Sequence, residues 1–258
     1  MTGGWPRAFA TAVQFLTRLP VPGGASADPS SYQADIGRAL ALFPLVGGLI
    51  GGATALALWL GSLVWPFPLA VLVALAAEAR LTGALHEDAV ADVCDAFGGG
   101  ATREDVLRIL KDSRVGSYGL VGLGLALALR AGGVMAAGEP ARAALVLVVS
   151  GMLGRLTMLA AMAAAPPVAG RPGLAGGVAA WAGWRGVAGG AAMGAPVFAW
   201  AAFADAPALA LGLLACAAFV LWFGALVRRR IGGATGDCLG CAAYAGTVLA
   251  TLAFAARF

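Results

Sequence analysis

LTGALHEDAVADVCDAFGGGATREDVLRILKDSRVGSYG, from Leu81 to Gly119, holds the only histidine, the only lysine and seven of the thirteen carboxylates of the chain. Asp88, Asp92 and Asp95 fall at i, i+4 and i+7, which on a helix puts all three on one face, about one turn apart. Like charges at that spacing repel and weaken a helix. A bound divalent cation removes the repulsion, and an all-oxygen set suits Mg²⁺ or Mn²⁺ better than zinc. The alternative is a solvated acidic face, the usual meaning of a charge run. Here the cluster directly follows one apolar segment and shortly precedes another. Charge at a membrane edge is normally basic, and acids there tend to serve function. The spacing therefore predicts a metal site.

Working outward, the apolar segments are the rest of the molecule. The 258 residues are 60% hydrophobic and 12% charged, with a mean hydropathy of +0.87. A soluble domain runs near 45–50% apolar and about 25% charged. The sequence predicts an all-α, polytopic integral membrane bundle, with about seven spans and an interfacial amino-terminal helix. It forms a single membrane-embedded domain over 1–258, with a catalytic loop over about 86–115. The net charge of +4 is almost wholly arginine, and no basic stripe with interleaved aromatics points to nucleic acid. Thirty-nine glycines suit close helix packing in lipid. The four cysteines make no disulfide framework; Cys238 and Cys241 form a C-x-x-C, but with one distant histidine they read as small packing residues. No cleavable signal peptide is expected.

Residues 1–35 give an interrupted apolar face that LTRLPVP (Leu16 to Pro22) breaks, since its two prolines forbid a continuous helix. Apolar runs follow at 36–65 and 69–85, parted by Pro66 and Pro68. FPLVGGLIGG (Phe43 to Gly52) supplies small-residue contacts to the first. Later runs lie at about 116–137, 143–164, 187–204, 207–227 and 238–256. Seven spans place 1–35, 86–115, 165–186 and 228–237 on one side. Those segments carry Arg7, Arg18, Arg103, Arg108, Lys111, Arg114, Arg171, Arg185 and Arg228 to Arg230. The positive-inside bias makes that side cytoplasmic.

Several other residues are site candidates. Glu78 lies inside a span, where a carboxylate is costly; it either pairs with Arg80 or joins the aspartates. Gly98 to Gly100 end the acidic helix and allow backbone N–H groups to approach an anion. Thr102 and Asp105 look like an N-cap pair, opening a short helix with Val106, Leu107 and Leu110 on its apolar side. Lys111 and Arg114 offer cations to phosphate. Arg155 is an intramembrane arginine, and GGATGD places Gly233, Thr235 and Asp237 in a turn of the phosphate- or metal-binding kind. His86 serves as general base or holds the loop by a hydrogen bond. Such parts at a membrane surface suit phosphoryl transfer, which asks mainly for positioning and charge neutralisation.

LTGALHEDAVADVCDAFGGG followed by KDSRVGSYG closely resembles the signature of the adenosylcobinamide-GDP ribazoletransferase (cobalamin-5′-phosphate synthase) family. LTRLPVP, FPLVGGLIGG and GGATGDCLG resemble its other motifs in the same order, so the likeness covers nearly the whole chain. The family typically has an apolar residue in place of Glu87 and a glycine near Ala89. The resemblance implies transfer with Mg²⁺ between adenosylcobinamide-GDP and α-ribazole, or its 5′-phosphate. The products are adenosylcobalamin, or its 5′-phosphate, and GMP. The setting implied is a bacterial plasma (inner) membrane with the site facing the cytoplasm; the lipid bilayer is a partner, nucleic acid is not, and a homo-oligomer is allowed. It also implies Asp88, Asp92 and Asp95 as Mg²⁺ ligands, with Asp237 and Glu78 as additions, and Lys111, Arg114 and Arg155 on the pyrophosphate. Gly98, Gly99, Gly233 and Thr235 would shape the substrate-binding turns.

Rival classes fit less well. A CDP-alcohol phosphotransferase needs D-G-x-x-A-R, whereas Asp88 precedes Ala-Val-Ala-Asp. An intramembrane metalloprotease needs H-E-x-x-H, but Val90 stands where the second histidine belongs. A transporter would carry charges mid-span in several helices, where only Arg155 and Glu78 are found.

Overall fold

The computed structural model describes residues 4–24, 29–168 and 183–257, without the side chains of 29–34. Arg171 and most of the loop from Pro166 to Gly177 lie outside the described residues. Nine α-helices make up the described chain: α1 (Trp5–Leu16), α2 (Pro29–Ser62), α3 (Phe67–Thr82), α4 (Leu85–Gly99), α5 (Arg103–Ile109), α6 (Ser117–Met135), α7 (Pro140–Ala164), α8 (Trp184–Ile231) and α9 (Gly236–Ala255). The all-α membrane architecture expected from hydropathy is what forms.

Five of these helices are long and apolar enough to cross a membrane, or six if the bent pair α3–α4 counts as one broken span. Seven is reached only by dividing α8, whose 48 residues would stretch about 72 Å if straight. Contacts with α7 make the division. Gly190 sits against Leu159 and Gly194 against Met152, so α8 first runs antiparallel to α7. Beyond Asp205, where the backbone leaves helical geometry at φ −160° and ψ 75°, Gly212 meets Leu153 and Gly224 meets Ala164. The direction has reversed. Arg142 ties the corner by donating to Asp205 at 3.2 Å.

α7 and α9 are the most enclosed spans, and small residues let their neighbours close in. Gly47 and Gly51 of α2 lie on the backbone carbonyls of Gly151 and Leu147 in α7, while Gly154 of α7 lies on Ala243 and Thr247 of α9. This is the contact expected of FPLVGGLIGG, since without a Cβ two helix backbones gain van der Waals contact at short range. α1 is 12 residues, too short to span. It lays Ala8, Ala12 and Leu16 against the bundle and leaves Trp5 exposed.

One feature places the site. α3 ends in two successive left-handed residues, Gly83 (φ 73°) and Ala84 (φ 55°), and α4 leaves at 89°. Glycine adopts that conformation freely, while a left-handed alanine costs about 1–2 kcal/mol. The LTRLPVP segment braces this corner: the Arg18 N–H donates to the Leu81 carbonyl at 2.8 Å, and the Arg18 side chain lies over Gly83.

Candidate active site on the acidic helix

α4 carries two kinds of charge on two faces. On the open face, Asp88 is exposed and Asp92 and Asp95 are half-buried, one helix presenting all three as the spacing predicts. Asp237, in the first turn of α9, acts on Asp92 electrostatically together with Asp88 and Asp95. The GGATGD turn therefore joins the acidic face. Gly240 of α9 packs on Ala89, which draws α9 against α4.

Asp95 differs from its neighbours. Its two oxygens accept the backbone N–H groups of Gly116 (2.7 Å) and Gly119 (2.8 Å). It caps the amino terminus of α6, where orphan donors and the helix dipole favour a carboxylate. Among the described residues no group of three or more His, Cys, Asp or Glu side chains is gathered as a metal cage. Mg²⁺ does not require one. It is commonly held by one or two carboxylates, several waters and substrate phosphates. Asp92, with Asp88 one helical turn before it, fits that mode.

The cationic rim comes from two turns. Arg230, at the end of α8, donates to the Gly100 carbonyl at 2.6 Å and lies over the Phe97 ring at 5.7 Å. Arg103 donates to the Ile231 carbonyl at 3.2 Å. These contacts put the α4–α5 and α8–α9 corners on the same side. The sequence places both segments on one side, as found, but gives neither contact, which depends on partners 128 and 130 residues apart. Lys111 and Arg114 are exposed in the loop beyond α5. Arg114 forks onto Asp112, with N–O distances of 2.7 and 3.0 Å, and holds that carboxyl down to about 2. Thr102 and Asp105 form the expected reciprocal cap.

Other expected site residues have structural occupations. Gly98 and Gly99 belong to the last turn of α4, so their N–H groups point along the helix rather than forming an open anion loop; Gly98 makes room for the Tyr118 ring. Gly233 is pressed onto the Pro166–Pro167 backbone, where Ala234 N–H donates to the Pro166 carbonyl at 2.8 Å. Thr235 caps α9 by accepting from the Cys238 N–H at 3.3 Å. All four cysteines are free.

The opposite face of α4 is internal. Glu78 pairs with neither Arg80 nor the aspartates. It receives Arg130 at 2.6 and 2.7 Å and the Thr54 hydroxyl at 2.8 Å. The Arg130 guanidinium also reaches Glu87 at 3.9 Å and lies over the Tyr244 ring at 5.4 Å. Arg155 is buried, donates to the Gly151 carbonyl of its own helix at 3.4 Å, and feels both Glu78 and Glu87. His86, also buried, lies within electrostatic reach of both arginines. Two acids and two arginines thus balance inside the bundle. Arg130 was overlooked in the sequence because LALALRAGG reads as an uninterrupted apolar run.

Comparison with known proteins gives the family. Residues 8–255 match the family model for cobalamin-5-phosphate synthase. A protein of Leptothrix cholodnii named adenosylcobinamide-GDP ribazoletransferase is 40% identical over 92% of this chain and 90% of its own. Proteins of the same name from Ralstonia nicotianae (40% identical; 92% and 90%) and Rhizobium etli (40%; 90% and 89%) are similar to the same extent. No solved structure is significantly similar. With its motifs, its helical membrane bundle and a match over nearly its whole length, the chain belongs to the cobalamin-5-phosphate synthase family.

Proposed function

We propose that the acidic face of α4 is where this chain joins adenosylcobinamide-GDP to α-ribazole, or to its 5′-phosphate. The products are adenosylcobalamin, or its 5′-phosphate, and GMP. The ribazole 3′-hydroxyl oxygen bonds to the phosphorus that carries the cobinamide arm, the bond from that phosphorus to the GMP oxygen breaks, and the hydroxyl proton passes to water or to a carboxylate of the same face. The observation that carries this reading is the electrostatic coupling of Asp92 to Asp88 on its own helix and to Asp237 of a distant turn, inside a family defined by cobalamin synthesis.

Asp88 and Asp92 would hold Mg²⁺ together with waters and substrate phosphates, with Asp237 adding negative potential; when bound, the ion would neutralise the diphosphate and stabilise the leaving phosphate. Asp95 orients rather than ligates, because both its oxygens serve α6. Lys111 and Arg114 are free to swing from the exposed loop toward phosphate oxygens, and an exposed ion pair such as Arg114–Asp112 is a weak restraint on that motion. His86 and Arg155 are assigned to holding the interior, since burial separates them from a solvent-borne substrate. Arg103, Lys111, Arg114 and Arg228 to Arg230 lie on segments of one side, which by the positive-inside rule supports a cytoplasmic site on a bacterial inner membrane.

Membranes containing the protein, given adenosylcobinamide-GDP and α-ribazole, are expected to release GMP with Mg²⁺ and to stop on chelation. A parallel incubation with a CDP-alcohol and an acceptor alcohol is expected to yield no CMP. CMP release there, with none of GMP in the first, would overturn the assignment.

A further inference from the structure

We propose that Arg130 is a positioning residue for the transfer reaction. From α6 it grips the chain on both sides of the α3–α4 bend and so fixes the direction in which α4 presents Asp88 and Asp92. The kinetic part rests on the function proposed above; the conformational part rests on geometry alone.

The bend needs an outside hold. A left-handed alanine such as Ala84 persists only where its surroundings over-determine it, and after the 89° turn at Gly83 the direction of α4 is set by its packing partners rather than by continuity with α3. Arg130 supplies the hold at atomic contact. Its Nη2 meets both oxygens of Glu78, five residues before Gly83, while its Nη1 faces Glu87, three residues after Ala84. Tyr244 of α9 closes the guanidinium from its face. Only arginine has the planar fork to address two carboxylates at once; a lysine ammonium is a single point charge. A second clamp, Asp95 on the amino terminus of α6, holds the far end of α4. Between Glu87 and Asp95 the helix rises about 12 Å, and Asp88 and Asp92 lie within that interval. Both clamps lead to α6. The acidic face is therefore tied at both ends to α6, while α9 backs it through Gly240 on Ala89, and slackening one clamp lets that end shift. A misplacement of about 1 Å at reacting groups can cost about a hundredfold in rate.

Two variants test this. Glu87→Gln removes the charge on the α4 side while keeping the Arg130–Glu78 pair, so the bundle stays assembled. Arg130→Lys keeps the charge and loses the fork. Each is measured for thermal midpoint in detergent, for hydrogen exchange of the amides of residues 85–99, and for kcat and KM with adenosylcobinamide-GDP. Glu87→Gln is expected to melt somewhat below wild type while staying fully folded at the assay temperature, to exchange about tenfold faster across α4, and to lose about tenfold in kcat with KM within about twofold. Arg130→Lys is expected to change in the same direction and further. Unchanged α4 exchange in both variants, or activity that falls only as the folded fraction falls, would overturn the inference. If wild-type membranes release no GMP, the transferase reading fails, while the exchange data still decide whether Arg130 clamps the bend.

Discussion

The two faces of α4 treat charge in opposite ways. Inside, Glu78 and Glu87 meet Arg130 and Arg155, acid matched by base, with Arg130 and Glu78 in direct contact. Outside, Asp88, Asp92 and Asp237 face one another with mutual repulsion. A buried charge without a partner is too costly to keep, so the interior must balance within the protein. Water-facing acids are under no such compulsion, and in the function proposed above their imbalance is met by a cation that arrives with the substrate. The internal charges set architecture; the external ones are those to which the proposed chemistry is assigned.

Substitutions separate the two. The largest expected effect is on the open face. Asp92→Asn removes several kcal/mol of metal-assisted charge stabilisation, a loss of about 10³-fold in GMP release, with the thermal midpoint unchanged or raised because repulsion is relieved. Next is the inner face. Arg130→Ala strands Glu78 in the bundle and is expected to destabilise by about 3–5 kcal/mol, whereas Arg130→Ala combined with Glu78→Ala costs clearly less, since no lone charge remains. Denaturation in detergent measures both, and a double variant worse than the single would break the contrast between the faces. Asp95→Asn should fall between: weakening an N-terminal cap costs about 1 kcal/mol, and activity should drop less than in Asp92→Asn.

The smallest effect belongs to the loop. Arg114 holds the Asp112 carboxyl down to about 2, so the stabilisation it brings is complete above the ordinary carboxylate range and fades only as pH falls through about 2. Between pH 5 and 9 the pair stays ionised. Asp112→Asn should therefore leave the shape of the pH–rate profile unchanged over that range, with at most a small change in KM as Arg114 is released. A new limb in the profile would assign Asp112 a larger part.

Much of the molecule was legible in sequence because hydropathy is a local quantity. The apolar runs, the breaks at Pro20 and Pro66, the reciprocal cap of Thr102 and Asp105, and the shared face of Asp88, Asp92 and Asp95 all depend on residues within a few positions of one another. What stayed hidden depends on distant partners. Glu78 reads locally as a neighbour of Arg80, but its partner is 52 residues on. Asp95 reads as a third ligand, but the amides it caps lie 21 and 24 residues on. Gly98 to Gly100 read as a helix end open to an anion, yet Gly98 packs on Tyr118 and the helix runs through Gly99. The bend after Thr82 was invisible for a related reason: Gly83 permits a left-handed turn, but only the hold of Arg18 and Arg130 around it selects one.

The most direct test is a Mg²⁺ titration of GMP release from adenosylcobinamide-GDP and α-ribazole, comparing wild type with Asp92→Asn at matched folded protein. Release that rises with Mg²⁺ in wild type and stays at background in the variant is the result expected. Equal, Mg²⁺-independent release in both would contradict the claim that the open face of α4 does its work through a bound cation.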